Sequence, residues 1–301
     1  MEYFAAIDIG SNAVRLLIKR RESPTSPQLG KVALMRLPLR LGQEVFTTGS
    51  ISKKKAEELC KLIKAYSLVM ELYDIKPDHF RGCATAAMRE ATNGKAVLDE
   101  VFSRTGVRIE LISGKEEAAI VRNVNWRRVN KNNLLFVDVG GGSTEISLIC
   151  DGNTLFTQSY GIGTVRMING IFDESVVSQL RIDLQATCCI YGGVSIVGAG
   201  GNINKLFSLT HHNDEEAIER RMEVSALRNI YHRLNNLTVS QRAETFDLKP
   251  DRADVIVPAA QIFLIIADAI GADTIEVPAL GLSDGIIEDL VDNQSKMSSM
   301  W

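Results

Sequence analysis

Apolar and polar positions along this chain follow two periods, one of strands and one of helices. Short apolar runs that carry an aspartate open both halves, Ala5-Ala6-Ile7-Asp8-Ile9 and Leu135-Phe136-Val137-Asp138-Val139. Each is followed by a Gly/Ser turn and a second run of β-branched and aliphatic residues, Val14 to Ile18 and Ile146 to Cys150. The pattern predicts strand, tight turn, strand in both places. Two hairpins can look alike by chance, but a shared Asp-aliphatic-Gly sequence at the same point of both favours duplication. Between them, Ala56, Leu59, Cys60, Leu62, Ile63, Tyr66, Val69, Met70 and Tyr73 recur at helical spacing and predict a helix over Lys53 to Tyr73 with that face in the core. Strands near His79 to Cys83 and Arg108 to Ile112 alternate with helices from near Thr85 and from Lys115 to Trp126, which is an α/β signature. In the second half the expected elements are a helix over Val176 to Tyr191, a strand Val194 to Val197, a turn Gly198 to Gly201, and helices near Ser225 to Asn235, Pro258 to Ile270 and Gly285 to Asp292. The polar run Arg127 to Asn133 marks the expected linker.

Length supports the division, because 301 residues exceed the size at which one hydrophobic core keeps growing. A formal net charge of −3 argues against a general binder of nucleic acid or of anionic membranes. Any anionic ligand must then be held by local geometry. The five cysteines, Cys60, Cys83, Cys150, Cys188 and Cys189, show no CxxC spacing and read as reduced thiols of a cytoplasmic protein. The N-terminus lacks a basic export region, and Val255 to Ile270, broken by Pro258, Gln261 and Asp268, reads as a core helix rather than a membrane span.

Candidate chemistry gathers at the turns. Glycine-rich turns at strand ends let backbone N–H groups converge on an anion, and a following helix N-terminus adds its dipole. One such turn is usually only a tight connection. Three of them, at Gly10, Gly140 and Gly198 to Gly201, two beside an aspartate, are better explained by a phosphate and metal site. Asp8 and Asp138 sit near strand ends, and Glu145 returns toward the second turn, a set suited to a divalent cation such as Mg²⁺ that also binds waters and phosphate oxygens. Ser113 and Glu116 have capping-box spacing, which leaves Glu117 either as a solvated first-turn charge or as a general base. Arg89, just inside a helix, is either a surface arginine or an anion contact.

Together the segments AAIDIGSNAVRLLI, ATAAMREATN, ISGKEEA, VDVGGGSTEISL, GIGTVRM, VGAGGN, RADVIVPAAQIF and LGLSDGII resemble the exopolyphosphatase and guanosine pentaphosphate phosphohydrolase (Ppx/GppA) family, within the superfamily of actin-like ATPases and sugar kinases. The resemblance runs from Ala5 to about Leu290. It implies an α/β fold of two ribonuclease-H-like (actin-like ATPase) domains with an interdomain active-site cleft. The expected division is residues 1–126 and 127–284, with a last helix at about 285–301 packing back on the first domain. It also implies Glu117 as general base, Asp138 and Glu145 as metal and water carboxylates, and Arg89 as a phosphate contact. The implied phosphate loops are Ser11 and Asn12, Gly140, Gly141, Gly142 and Ser143, and Gly200 and Gly201. With Asp8 added, the expected metal set is Asp8, Asp138 and Glu145, and the expected reaction is Mg²⁺-dependent release of terminal orthophosphate from polyphosphate or from pppGpp.

The chain departs from the family pattern at Asn202, where Thr is common, and at Ser283-Asp284-Gly285, where Arg-Glu-Gly is common. It is expected to be a short form without the additional C-terminal helical domain of many relatives. The alternatives are an ATP-dependent small-molecule kinase and a non-catalytic alarmone or polyphosphate sensor. A homodimer is expected only from the commonness of two-fold dimers.

Overall fold

Each of the duplicated hairpins lies inside a sheet of its own. The computed structural model describes residues 1–23, 29–125, 133–151, 153–191, 193–211 and 220–298. Of the expected linker, all but Asn133 lies outside them. By contacts the chain divides into Met1–Ser113 with Leu282–Trp301, and Gly114–Gly281.

In the first unit β1 (Glu2–Ile9) runs antiparallel to β2 (Val14–Arg21), and β2 to β3 (Leu29–Leu37). Helices α1 (Leu41–Thr48) and α2 (Lys53–Leu72) follow, then β4 (Phe80–Ala84), α3 (Ala86–Glu90), α4 (Gly94–Thr105) and the short β5 (Glu110–Leu111). The sheet order is β3-β2-β1-β4-β5, with β4 and β5 parallel to β1. Helix α2 starts where Ser52 accepts a hydrogen bond from the Lys55 amide, and it buries Ala56, Leu59, Cys60, Ile63, Tyr66 and Met70, the apolar stripe expected from its periodicity. The Tyr66 hydroxyl donates to the Val14 carbonyl at 3.1 Å and so ties α2 to the start of β2.

The second unit opens with α5 (Gly114–Asn125), followed by β6 (Asn133–Val139), β7 (Thr144–Cys150) and β8 (Asn153–Tyr160). Then come α6 (Thr164–Ile168), α7 (Glu174–Tyr191), β9 (Ser195–Ala199), α8 (Gly200–Thr210), β10 (Arg221–Glu223) and α9 (Val224–Asn235). The unit closes with α10 (Val239–Thr245), α11 (Pro250–Ala253), α12 (Ile256–Ile270) and β11 (Thr274–Glu276). Its sheet, β10-β11-β9-β6-β7-β8, repeats the first: an antiparallel three-strand meander with parallel strands β9 and β11 beside β6. Both sheets therefore have the 3-2-1-4-5 ribonuclease-H-like order, the second with β10 added at its edge. Helix α12 buries Ile256, Ala259, Ala260, Ile262, Phe263, Ile266 and Ala267 in this unit's core. Among the described residues it belongs to the one stretch, Pro250–Ile270, long and apolar enough to cross a membrane, and its burial is that of a core helix.

Two boundaries differ from the sequence reading. Helix α5 packs on β7 and β8 and so lies with the second unit, whereas the sequence reading placed the division after it. The expected turn at Gly198 to Gly201 is a direct junction, because β9 runs to Ala199 and α8 begins at Gly200. The last helix, α13 (Leu282–Ser298), returns to the first unit and packs on β1, β2 and β4. There Lys19 and Asp284 form an ion pair at 2.7 Å with Lys19 buried, so the departing Ser283-Asp284 pair fastens the start of α13 to β2. Cys60, Cys83 and Cys150 are buried free thiols; the side chains of Cys188 and Cys189 lie outside the described residues.

Candidate active site

In the second unit Asp138 and Glu145 are register partners across the β6–β7 hairpin. Residues directly opposite in an antiparallel pair share a face, so the two carboxylates stand side by side. Glu145 is 3% exposed. Its Oε1 accepts hydrogen bonds from Ser143 Oγ at 2.6 Å and from Ser159 Oγ at 2.9 Å, Ser159 being its partner on β8. These two hydroxyls fix the carboxylate's orientation. Asp138 lies against the start of α8, where a Cβ on Gly200 would come 2.4 Å from Asp138 Oδ1. Gly200 also has φ +86°, so that position requires glycine twice over.

The turn between the two carboxylates is held by the helix that follows. Gly140 N–H donates to Ser143 O at 2.9 Å and closes the turn. Its carbonyls face α6: Gly140 O accepts from Thr164 N at 3.0 Å, Gly141 O from Val165 N at 2.8 Å, and Gly142 O from Arg166 Nε at 2.6 Å. A trans peptide points its N–H opposite to its C=O. The amides of Gly141, Gly142 and Ser143 therefore face away from α6, three consecutive donors of the kind that cradle a phosphate.

The first unit repeats the device with one change. Gly10 N–H donates to Ala13 O at 3.1 Å, and the start of α1 holds the turn: Ser11 O accepts from Gly42 N at 2.8 Å and Asn12 O from Arg40 N at 2.9 Å. The Asn12 and Ala13 amides then face away from α1. The register partner of Asp8 is Arg15, and the two form an ion pair at 2.7 Å. In the second hairpin a glutamate takes the place of that arginine. One turn thus carries a neutralised acid with a guanidinium beside it, and the other carries two acids.

Glu117 lies in the first turn of α5 and is buried, while its neighbour Glu116 is exposed. Arg89, in α3, is half-buried and donates from Nη1 to the Ile112 carbonyl at 2.9 Å. The expected residues fall in two groups. Asp138, Glu145, Gly140 to Ser143, Gly200, Gly201 and Glu117 belong to the second unit, and Asp8, Ser11, Asn12 and Arg89 to the first. Among the described residues no three or more His, Cys, Asp or Glu side chains cluster with metal-holding geometry. Asp138 and Glu145 are a pair that could share a cation whose other ligands are waters and phosphate oxygens, the usual coordination of Mg²⁺.

Arg15 and Arg252 were absent from the sequence reading's site. Arg252 donates from Nη1 to Asn202 Oδ1 at 3.0 Å, and a Cβ on Gly201 would lie 3.1 Å from its Nη2. Superimposing the duplicated hairpins would have found Arg15, which falls on the position of Glu145. Arg252 opens the segment RADVIVPAAQIF that carries the resemblance, but its contact with Asn202, 50 residues away, has no local signal.

Comparison with known proteins matches residues 26–294 to the model of the Ppx/GppA phosphatase family. The chain is 25% identical to the guanosine-5'-triphosphate,3'-diphosphate pyrophosphatase of Aeromonas salmonicida over 96% of its own length and 60% of that protein's. It is also 25% identical to exopolyphosphatase 1 of Mycobacterium tuberculosis, over 96% of this chain and 88% of that one. Among solved structures, an exopolyphosphatase from Cytophaga hutchinsonii shares the fold with a TM-score of 0.85 at 20% identity, covering 97% of this chain and 98% of that one.

Proposed function

The chain belongs to the Ppx/GppA phosphatase family, and we propose that it hydrolyses terminal phosphoanhydride bonds, releasing orthophosphate from inorganic polyphosphate or from pppGpp. The observation that carries the reading is the second hairpin, where two opposed carboxylates stand at the ends of a turn whose carbonyls are held by α6 and whose amides face away from it. Two carboxylates side by side are suited to share a cation. An amide cradle asks for an anion, and a metal phosphate answers both. The residues fit Mg²⁺, which would supply charge neutralisation and phosphate positioning from a place held by Asp138 and Glu145.

The chain's own groups then divide the work. Amides of Gly141, Gly142 and Ser143 bind the phosphate oxygens, and the N-terminus of α8 at Gly200 and Gly201 adds donors and dipole. Ser143 and Ser159 keep Glu145 in place. Glu117 takes a proton from the attacking water, whose oxygen bonds to the terminal phosphorus as the bridging P–O bond breaks and the shortened chain leaves. Positioning and charge neutralisation are most of what such a transfer requires. In the first unit, the Asn12 and Ala13 amides of the Gly10 turn and the half-buried Arg89 have the chemistry of anion contacts. Buried reduced thiols support a cytoplasmic setting.

The test is orthophosphate release from polyphosphates and from pppGpp by wild type and Glu117→Gln. Wild type turns over at least one of these, and the variant loses about 10²- to 10⁴-fold in kcat with the substrate still bound. Binding without release by wild type would replace this reading with a sensor, and transfer only to an acceptor would replace it with a kinase.

A further inference from the structure

Gly163 stands where the peptide planes of the second hairpin's turn are set. It is the residue before α6, and its backbone is extended, with φ −153°. A Cβ there would lie 2.5 Å from Gly141 O, 2.6 Å from Gly141 C and 2.6 Å from Gly142 C. All three are backbone atoms of the turn, so no side chain can swing aside to make room. Nor can Gly163 back away. Its neighbours Ile162, Thr164 and Val165 are at most 1% exposed, and the Thr144 hydroxyl donates to Ile162 O at 2.7 Å. A side chain at this position must therefore move the turn itself.

The close approach sets which way the turn's peptides point. With α6 this near, Thr164 N–H and Val165 N–H reach Gly140 O and Gly141 O, and Arg166 Nε reaches Gly142 O. The two backbone donors belong to the first turn of a helix, where an N–H has no partner inside the helix. Flipping one of these peptides would break its bond to α6 and aim a carbonyl where the amides now face. The first unit uses the same device at the start of α1, where a Cβ on Gly42 would lie 2.8 Å from Ser11 Cβ and 3.2 Å from Ser11 O, the carbonyl to which Gly42 N–H donates. We propose that Gly163 is a positioning residue: lacking a Cβ, it lets α6 hold the Gly140–Ser143 turn with its amides toward the substrate phosphate before any ligand arrives; this rests on the phosphoanhydride reading above. A turn that holds this conformation only part of the time binds more weakly in proportion to the lost fraction.

The test is tripolyphosphate binding, measured by calorimetry with the full chain in Mg²⁺ buffer, for wild type, Gly163→Ala and Gly161→Ala. Gly161 is the control two residues earlier, with nothing within 4 Å of its Cβ position and a backbone outside the left-handed region. Gly163→Ala weakens binding by about tenfold or more, and Gly161→Ala by less than about twofold. In turnover, Gly163→Ala raises KM while kcat stays within about twofold, because saturating substrate draws the turn back to its binding conformation. If Gly163→Ala does not fold, Thr164→Pro serves: proline suits the first position of a helix and the extended residue before it, and lacks the N–H that Gly140 O accepts. It weakens binding as well. Wild-type affinity in Gly163→Ala or Thr164→Pro, an equal loss in Gly161→Ala, or a fall in kcat at unchanged KM would overturn the proposal. Because calorimetry needs no turnover, a wild type that binds tripolyphosphate without releasing phosphate refutes the hydrolase reading and leaves the comparison of Gly163 with Gly161 decisive.

Discussion

Gly200 shows how much of the site rests on single atoms. Its φ of +86° and the Asp138 oxygen 2.4 Å from its missing Cβ mean that Gly200→Ala must either distort the start of α8 or push the carboxylate aside. The left-handed backbone alone costs about 1–2 kcal/mol for a residue with a Cβ. Gly106 is a matched control, with φ +73° and nothing within 4 Å of its Cβ position. Both alanine variants should lose thermal stability. Only Gly200→Ala should also lose phosphate release, by about tenfold or more, as expected if the displaced Asp138 carboxylate has the proposed role. Equal activity in the two variants would separate Gly200 from the chemistry.

At the scale of elements, the two hairpins repeat each other down to the hydrogen bond that closes each turn and the helix that holds each turn's carbonyls. Their strands and the stripe of α2 were legible because apolar period and burial coincide there. Edge strands β3 and β8 escaped because they are half-exposed, so their alternation is weak: β3 leaves Val32, Leu34 and Leu37 exposed, and β8 leaves Leu155 so. At the site, Asp138, Glu145, Glu117 and the glycine turns could be read locally. The Asn202–Arg252 contact could not, since only the tertiary fold joins α8 to α11. Helix α2 also yields a pH test. Burial pushes the Tyr66 hydroxyl up to about 12 from its ordinary value near 10. The folded state thus holds this proton more tightly than the unfolded chain does. Its contribution is fully present below about pH 10 and is lost as pH rises toward 12. Tyr66→Phe should flatten the alkaline stability profile in that window while costing about 1 kcal/mol at neutral pH for the lost bond to Val14. An unchanged profile, followed by circular dichroism, would contradict this.

For the whole molecule, the chain leaves its first unit at Ser113 and re-enters it at Leu282. Unit 1 is therefore discontinuous, and its closing helix α13 must find β1, β2 and β4 after the second unit has been threaded. The Lys19–Asp284 pair fastens that return. Asp284→Ala leaves the buried Lys19 ammonium without this partner, which should cost about 2 kcal/mol, below the usual 3–5 for a fully buried pair because Asp284 is partly exposed. Replacing both, with Lys19→Met and Asp284→Ala, should restore much of the lost melting temperature. A double variant as unstable as the single one would remove the pair from the account.

The proposed role of the opposed carboxylates of the second hairpin, to hold a divalent cation for phosphate hydrolysis, makes turnover depend on that cation. The measurement that tests it most directly is the rate of orthophosphate release as Mg²⁺ is titrated into metal-free protein, for wild type, Asp138→Asn and Glu145→Gln. Expected are no release without metal, saturable activation of the wild type, and a half-saturating Mg²⁺ concentration raised by about tenfold or more in each variant. Turnover by metal-free wild type, or variants that keep the wild-type metal dependence, would contradict it.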